Sequence, residues 1–556
     1  MNSKPASFAE KEIYRQKLIS FANIPNQTKL FVEYQNNSED LENFYPTKNI
    51  KIREFAKEVL AEYKIDREAI CRILKEENEA FGVGEKTLQN IEKLKQKDCV
   101  AVFTGQQAGL FSGPVYTIYK ALSAIKLAEK LSNEGIKAVP IFWIASEDHD
   151  FDEISRTEIL DAENKLKTIQ NLPNTLPENS PVGFIKMDES ITDSINKFIK
   201  NLQKTEFTEN INELLVNSYK SGETFSRAFG KLLAKLFNKY GLILVSPMNE
   251  DLRKLSSPIF IEAIENAEII TKTLLEINKE LEEKGYHAQV LVEKDFFPFF
   301  YIDDENKRNA LRFDKEKSRI KSQNTKHEFT KEELIEIAKN NPQKLSPNAL
   351  LRPVVQDFLF PTVCYFGGGA EIAYFGQNSI IYEILKRPVT PIKHRSSFTI
   401  IEGKHRRTLN KYNLNFADLF EGKEKILAEI VEKYLNTETA KIFAETEEII
   451  NTQLNRLDQH LHEDEPTLSD NLANRRRKIL WHIGALRKKF HSAEIVKNEV
   501  INRRIGNLFT AILPDENLQE RLLNVLHFLD LYGEHFIEWI YEAVNSEETE
   551  HQIIIF

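Results

Sequence analysis

The chain has 556 residues, 41 % of them hydrophobic and 29 % charged, a balance that supports about three to four domains with buried cores and excludes a largely disordered, collagen-like or membrane-embedded chain. The formal net charge of −10 denies the molecule the overall basic field that non-specific nucleic-acid binding needs, so any polyanion site has to be local. Three cysteines, Cys71, Cys99 and Cys364, are odd in number and far apart, which excludes a disulfide framework or a CxxC site and points to a reducing compartment.

Met1 to Arg15 has no apolar leader core, and no later stretch approaches the ~18 uncharged apolar residues of a membrane span. A cytoplasmic protein is expected. Residues 1–97 read as an N-terminal helical segment of the core, with Ile52, Phe55, Val59, Leu60 and Tyr63 spaced for one helix face. The pattern changes at Cys99-Val-Ala-Val-Phe103, an apolar run that ends in a glycine-rich stretch, Thr104 to Pro114. Pro114 suits a first helical turn, and Tyr116, Ile118, Tyr119, Leu122, Ile125, Leu127 and Leu131 continue with helical spacing to a stop at Gly135. Ala138 to Ile144 is a second buried strand. Strand, helix and strand within about 45 residues make one βαβ unit, so the fold class is α/β with a parallel sheet and a right-handed crossover.

Residues 98–400 form this core, with insertions over about 156–330. The insertions contain strand-like pieces at Leu166–Gln170, Leu242–Ser246, Gln289–Glu293, Phe297–Ile302 and Ala310–Phe313, and helices near 224–239 and 256–284. Residues 350–366 lead through Gly367-Gly368-Gly369 into a helix from Ala370 to Leu385, a second strand-to-helix junction. Between 420 and 510 the steps of Phe443, Ile450, Leu454, Leu457 and Leu461, and of Ile479, Ile483, Leu486, Phe490 and Ala493, predict a long antiparallel α-helical coiled coil. Pro466 would end one arm and Ser469 or Asp470 would cap the next; arms of about 35 to 40 residues would reach roughly 50 to 60 Å. Residues 511–556 read as a C-terminal helical segment returning to the core.

Three clusters could carry chemistry. In the first loop Gly105, Gly109 and Gly113 fit neither the phosphate-loop nor the dinucleotide pattern. Glycines beside a helix N-terminus at a strand's carboxyl end still suit an anion, with Thr104, Gln106 and Gln107 facing the ligand. The rival is a tight turn that holds helix to sheet. After the second strand, Glu147-Asp148-His149-Asp150 puts four ionisable groups on the same sheet edge. Such a run suits acid–base work or capture of an amine; a metal site and a solvated turn are the alternatives. Third, Glu371 after the triple glycine would sit in a first helical turn as a binding or simply capping carboxylate, with Arg352 and the His394-Arg395 pair as possible cations. Trp481-His482-Ile483-Gly484 imitates a synthetase signature but lacks its final His and lies within the heptads. The ten Lys/Arg of residues 471–510 read as a solvated or acid-paired face, or as a local RNA contact.

The runs Thr104–Lys120, Phe142–Phe151, Ser346–Asp357 and Glu371–Tyr374 resemble the signature blocks of the cysteine ligase family of bacillithiol biosynthesis, along essentially the whole chain. The resemblance implies a Rossmann-like core related to class I synthetase folds, with connecting-peptide insertions, and a coiled coil through which the family forms homodimers. It implies addition of L-cysteine to the amino group of glucosaminyl-malate by amide formation. It further implies a pocket lined by Thr104, Gly105, Gln106, Gln107, Glu147, Asp148, His149, Asp150, Arg352, Glu371 and Tyr374. Asp148, His149 and Glu147 would be the catalytic candidates, with no metal ligand set. The family lacks clear HIGH and KMSKS elements, as does this chain, so ATP dependence stays open: the cofactor would be ATP or ADP with Mg, or none. Gly369-Ala370 stands where the family pattern has a proline-containing pair. The contrasting readings are a dimeric scaffold or RNA-associated protein on a degenerate synthetase-like core, and a metal-dependent amidohydrolase.

Overall fold

The computed structural model describes residues 17–314 and 316–556; the leader reading of Met1 to Arg15 lies outside them. Five parallel strands form the centre: β1 (Val100–Gln106), β2 (Ala138–Ile144), β3 (Ile243–Val245), β4 (Thr362–Gly367) and β5 (Ile392–His394). They lie in the order β5-β4-β1-β2-β3. Because helices cover both faces of a parallel sheet, its strands are continuous apolar runs rather than alternating ones, and β2 is buried at every position. The crossover helix α1 (Tyr116–Asn133) packs on β1 and β2 and stops where Gly135 takes a left-handed φ of 85°. Phe55, Ala56 and Val59 of the helix Ile52–Glu62 close one face against Val100, Val102 and Val363.

Strand order reverses between β1 and β4, and in open parallel sheets the crevice at that switch, beyond the carboxyl ends, is where ligands bind. Thr104 pairs with Phe366 there. Over the crevice lies an inserted five-stranded antiparallel sheet, whose strands include Phe296–Ile302, Arg308–Asp314 and Leu345–Pro347. The strand expected at Gln289–Glu293 is a loop. Gln377 takes its place as partner, accepting from Val290 N at 2.9 Å and donating to Val290 O at 2.9 Å, so a side-chain amide satisfies what a ladder would have satisfied. The helices α2 (Glu250–Glu265) and α3 (Gly369–Ile384) flank the crevice.

Beyond residue 400 the chain is mostly helical. The hairpin consists of α4 (Thr437–Asp464) and α5 (Pro466–Lys497), followed by α6 (Glu499–Ile512). At 1.5 Å per residue the two arms span about 42 and 48 Å, shorter than expected. Non-helical backbone at Asn436 and Asn498 interrupts the periodic pattern, and Asn436 caps α4 by accepting from Thr439 N. Pro466 opens α5 instead of merely ending α4; the side chains of Ser469 and Asp470, expected as caps, lie outside the described set. Phe443 meets Phe490 across the seam with centroids 5.6 Å apart. The basic arm pairs with acids as expected: Arg487 reaches Glu432 at 2.7 Å and Glu447 at 3.1 Å. Trp481 is 67 % exposed on α5, on the hairpin rather than at the sheet, which removes the synthetase-signature reading. The end of the chain departs from the all-helical expectation. The β-branched run of His551–Ile555 forms a strand, parallel to Phe398–Ile401 and antiparallel to Lys17–Ile19.

Candidate active site at the switch point of the sheet

The first glycine loop divides into two parts. Gly105 is required by the sheet itself, since a Cβ there would stand 2.8 Å from Trp143 O. Beyond Gln107 the backbone turns inward. Phe111, Ser112 and Gly113 take φ values of 52°, 86° and 66°, a strained left-handed run held by Asn524, whose Nδ2 donates to Phe111 O (2.7 Å) and Gly113 O (3.1 Å). Val115 N donates to Leu523 O at 2.8 Å. The tight-turn reading therefore holds for residues 108–113, and the Val115 amide is taken. Thr104 is also corrected: its hydroxyl is buried and donates to Phe366 O at 2.8 Å, joining β1 to β4 instead of facing a ligand. Gly105, Gln106 and Gln107 alone of this stretch line the crevice, a cleft of ≈ 680 Å³.

The run after β2 splits as well. Glu147 is buried, pairs with Arg253 of α2 and accepts from Ser346 Oγ at 3.1 Å. It joins the core to the inserted sheet while also lining the cleft, so an anchoring role stands beside the predicted catalytic one. Asp150 caps the short helix Phe151–Ile154 by accepting from Glu153 N at 3.1 Å, and is not among the cleft residues. Asp150 thus parts from the other three, and the described residues contain no cluster of three or more His, Cys, Asp or Glu arranged for a metal. Asp148 and His149 do face the cleft. Gln107 Nε2 bridges Asp148 Oδ2 (3.3 Å) and Glu153 Oε2 (2.8 Å), so two carboxylates share one amide donor. Burial and the charges of Asp148 and Asp150 raise the pKa of Glu153 above its ordinary value.

A second wall carries cations together with the carboxylate of Glu371. Lys120 rises from α1 only 4 % exposed, donates to Gly105 O (2.9 Å) and Gln106 Oε1 (2.8 Å), and pairs with Glu371. Burial lowers its pKa and Glu371 opposes the shift. Glu371 accepts from Tyr365 Oη (2.8 Å) and from Gly368 N (2.7 Å), so it caps α3 and anchors Lys120 together. Arg352 donates to Tyr374 Oη at 2.9 Å. Arg395 pairs with buried Glu520 at 2.7 Å and lies over the Tyr116 ring, and Arg521 from the C-terminal segment completes this wall. From the inserted sheet, Arg308 is fixed by Ser346 Oγ (3.0 Å) and Pro347 O (3.2 Å) over the Phe300 ring.

Lys120, Glu153, Arg308 and Arg521 are the site residues that sequence reasoning missed. Lys120 carried a usable signal, a lysine set between Ile118-Tyr119 and Ala121-Leu122 in the apolar first half of its helix, where a buried cation demands a partner. Glu153 stands three residues past the acidic run. Arg308 and Arg521 arrive from distant elements with no local mark.

Fold and cleft together define a Rossmann-like α/β protein with a polar cleft at its topological switch, extended by a coiled coil. Residues 18–396 match the Bacillithiol biosynthesis BshC N-terminal Rossmann-like domain, and residues 398–556 match the BshC C-terminal coiled-coil domain. The chain belongs to the BshC family of bacillithiol biosynthesis, a ligase family. A Koribacter versatilis protein described as "Putative cysteine ligase BshC" is 32 % identical over 96 % of this chain and 99 % of its own length. Proteins of the same description from Salinibacter ruber and a Geobacillus species are each 30 % identical, over 94 % and 88 % of this chain and 96 % and 90 % of theirs. A structure titled as an arginyl tRNA synthetase from Campylobacter jejuni aligns over 86 % of this chain and 98 % of its own, with 11 % identity and a TM-score of 0.22, too low for any argument. No helix among the described residues is long and apolar enough to cross a membrane.

Proposed function

We propose that the chain joins the carboxyl group of L-cysteine to the amino group of glucosaminyl-malate as an amide. The observation that carries this reading is one cleft lined by two sets of groups: a first wall with the linked carboxylates Asp148 and Glu153, and a second with the cations Lys120, Arg352, Arg395 and Arg521, two of them held by Glu371 and Glu520. An amine that must arrive as ammonium and lose a proton suits the first wall; carboxylates of both substrates suit the second. Glu153, which holds a proton more readily than an ordinary glutamate, takes the ammonium proton, and Gln107 keeps it beside Asp148. Amide formation in water also needs an activated carboxyl. A nucleoside triphosphate with Mg supplies that activation, and the cationic wall fits its charge. The hairpin's partner is a second copy of the chain, because Ile442, Ile449, Leu457 and Trp481 stand exposed along the two arms.

Mass spectrometry of the protein incubated with L-cysteine and glucosaminyl-malate, with and without ATP-Mg, tests the reading. Product is expected only with ATP, and Glu153→Gln should lower its rate by about 100-fold, the lower end for loss of a general base. A rate independent of Glu153 would remove the assigned base, and absence of product in every mixture would remove the ligase reading.

A further inference from the structure

We infer that Arg308 fixes His149 as a neutral imidazole whose Nε2–H points into the cleft, so that His149 acts as a hydrogen-bond donor to the reacting carbonyl and not as the base; this deepens the ligase reading and rests on it. Arg308 Nη1 lies 3.3 Å from His149 Nδ1. A guanidinium has five N–H donors and no acceptor, so the contact has one direction: Arg308 donates and Nδ1 accepts. In a neutral ring whose Nδ1 is a lone-pair acceptor, the proton is on Nε2. Arg308 cannot turn away, because Ser346 Oγ and Pro347 O hold its other nitrogens and the Phe300 ring, 3.6 Å from its centre, holds its plane. The His149 ring also faces Phe300, and Nε2 has no protein partner among the described residues.

A base needs a free lone pair, and here Arg308 occupies Nδ1 while Nε2 already carries hydrogen. Adding a second proton would set an Nδ1–H against an arginine N–H. The charged groups acting on the ring are Arg308, which opposes that proton, and Asp148 and Asp150, which favour it; burial and Arg308 prevail, and the pKa lies below its ordinary value. Asp148 does not compete for Nδ1, since its Oδ1 stands 3.8 Å away and accepts from the His149 backbone N at 2.8 Å.

In the reaction, the lone pair of the deprotonated amine forms the new C–N bond and the carbonyl π pair moves onto oxygen. Nε2–H of His149 stabilises that oxygen. The pair then returns as the phosphate-type leaving group supplied by the nucleoside triphosphate departs with its bonding electrons, and the remaining amine proton passes to a cleft carboxylate.

Two measurements on the full chain test this. Long-range ¹H–¹⁵N spectra of ¹⁵N-histidine protein, with His149 assigned by its loss in His149→Gln, should show the Nε2–H tautomer at pH 7, with the ring titrating below the ordinary histidine value. In Arg308→Lys the ring should become a tautomer mixture that titrates nearer the ordinary value of about 6.5. An Nδ1–H tautomer or a charged ring at pH 7 in the parent protein overturns the inference. In product formation, His149→Gln keeps an N–H donor and should stay within about tenfold of the parent, while His149→Ala should lose about 100- to 1000-fold. Equal losses in the two variants also overturn it. If the parent protein makes no amide, the ligase reading has failed, and the spectra still decide the tautomer.

Discussion

The sheet core and the helical hairpin follow opposite rules. In the core, β1 and β2 lie between two covered faces and even the charged groups are enclosed: Glu147 with Arg253, Lys120 with Glu371, Arg395 with Glu520. In the hairpin only Ala440 of α4 is buried, and α5 has no buried residue among those described. A region that encloses its ions fixes geometry at a high cost per lost partner. A region that leaves its seam open gains little from any single contact and needs a second surface to cover it. The contrast is between a region of fixed, paired charges and one of open, unpaired apolar surface.

Acid should expose the contrast most strongly. His405, His527 and His551 are buried, and burial, first among the causes, lowers each to a pKa of about 4. The unfolded chain takes up these protons from about pH 6.5 downward and the folded core resists until about pH 4. The stabilisation is therefore complete above pH 6.5 and is lost as pH falls towards 4, by roughly 3 kcal/mol per histidine. Denaturant midpoints across that window should fall with the core, and replacing His527 by Gln should flatten the slope. A midpoint independent of pH from 6.5 to 4 would contradict the burial of these rings.

Next in size is Glu147→Ala, which leaves Arg253 charged and enclosed without its carboxylate; about 3 to 5 kcal/mol of stability should disappear in chemical denaturation. A loss below about 1 kcal/mol would mean that Glu147 is not a core anchor. Smallest in stability, yet visible in assembly, is the triple change Ile442→Ser, Ile449→Ser and Trp481→Ser. The denaturant midpoint of the core should move by less than about 0.5 kcal/mol per site, while sedimentation velocity should shift from dimer to monomer. A variant that sediments as the parent does would reject the hairpin as the self-association surface.

Elements with a local cause were legible in the sequence. The βαβ unit followed from two apolar runs around an amphipathic helix, and the hairpin from its heptads. Gly105, Gln106, Gln107, Glu147, Asp148 and His149 line the cleft from the strand ends that carry them, and Arg352, Glu371 and Tyr374, which the family resemblance put in the pocket, line it from helices. What failed depended on partners remote in the chain. Nothing near Thr104 shows that Phe366 O will take its hydroxyl, and nothing near residue 290 shows that Gln377 will replace a strand. The glycine loop misled because the same residues serve an anion cradle and a strained turn, and the difference lies in Asn524.

That asparagine has a consequence for synthesis. It stands 413 residues after the carbonyl of Phe111 to which it donates, and at 5 to 20 residues per second the ribosome needs roughly 20 to 80 s to deliver it. During that interval the nascent chain carries a left-handed turn without its clasp, and the cleft wall lacks Arg521. Assembly of this site is thus vectorial only in part: the strand that leads into the Phe111 turn is made some four hundred residues before the side chain that clasps it.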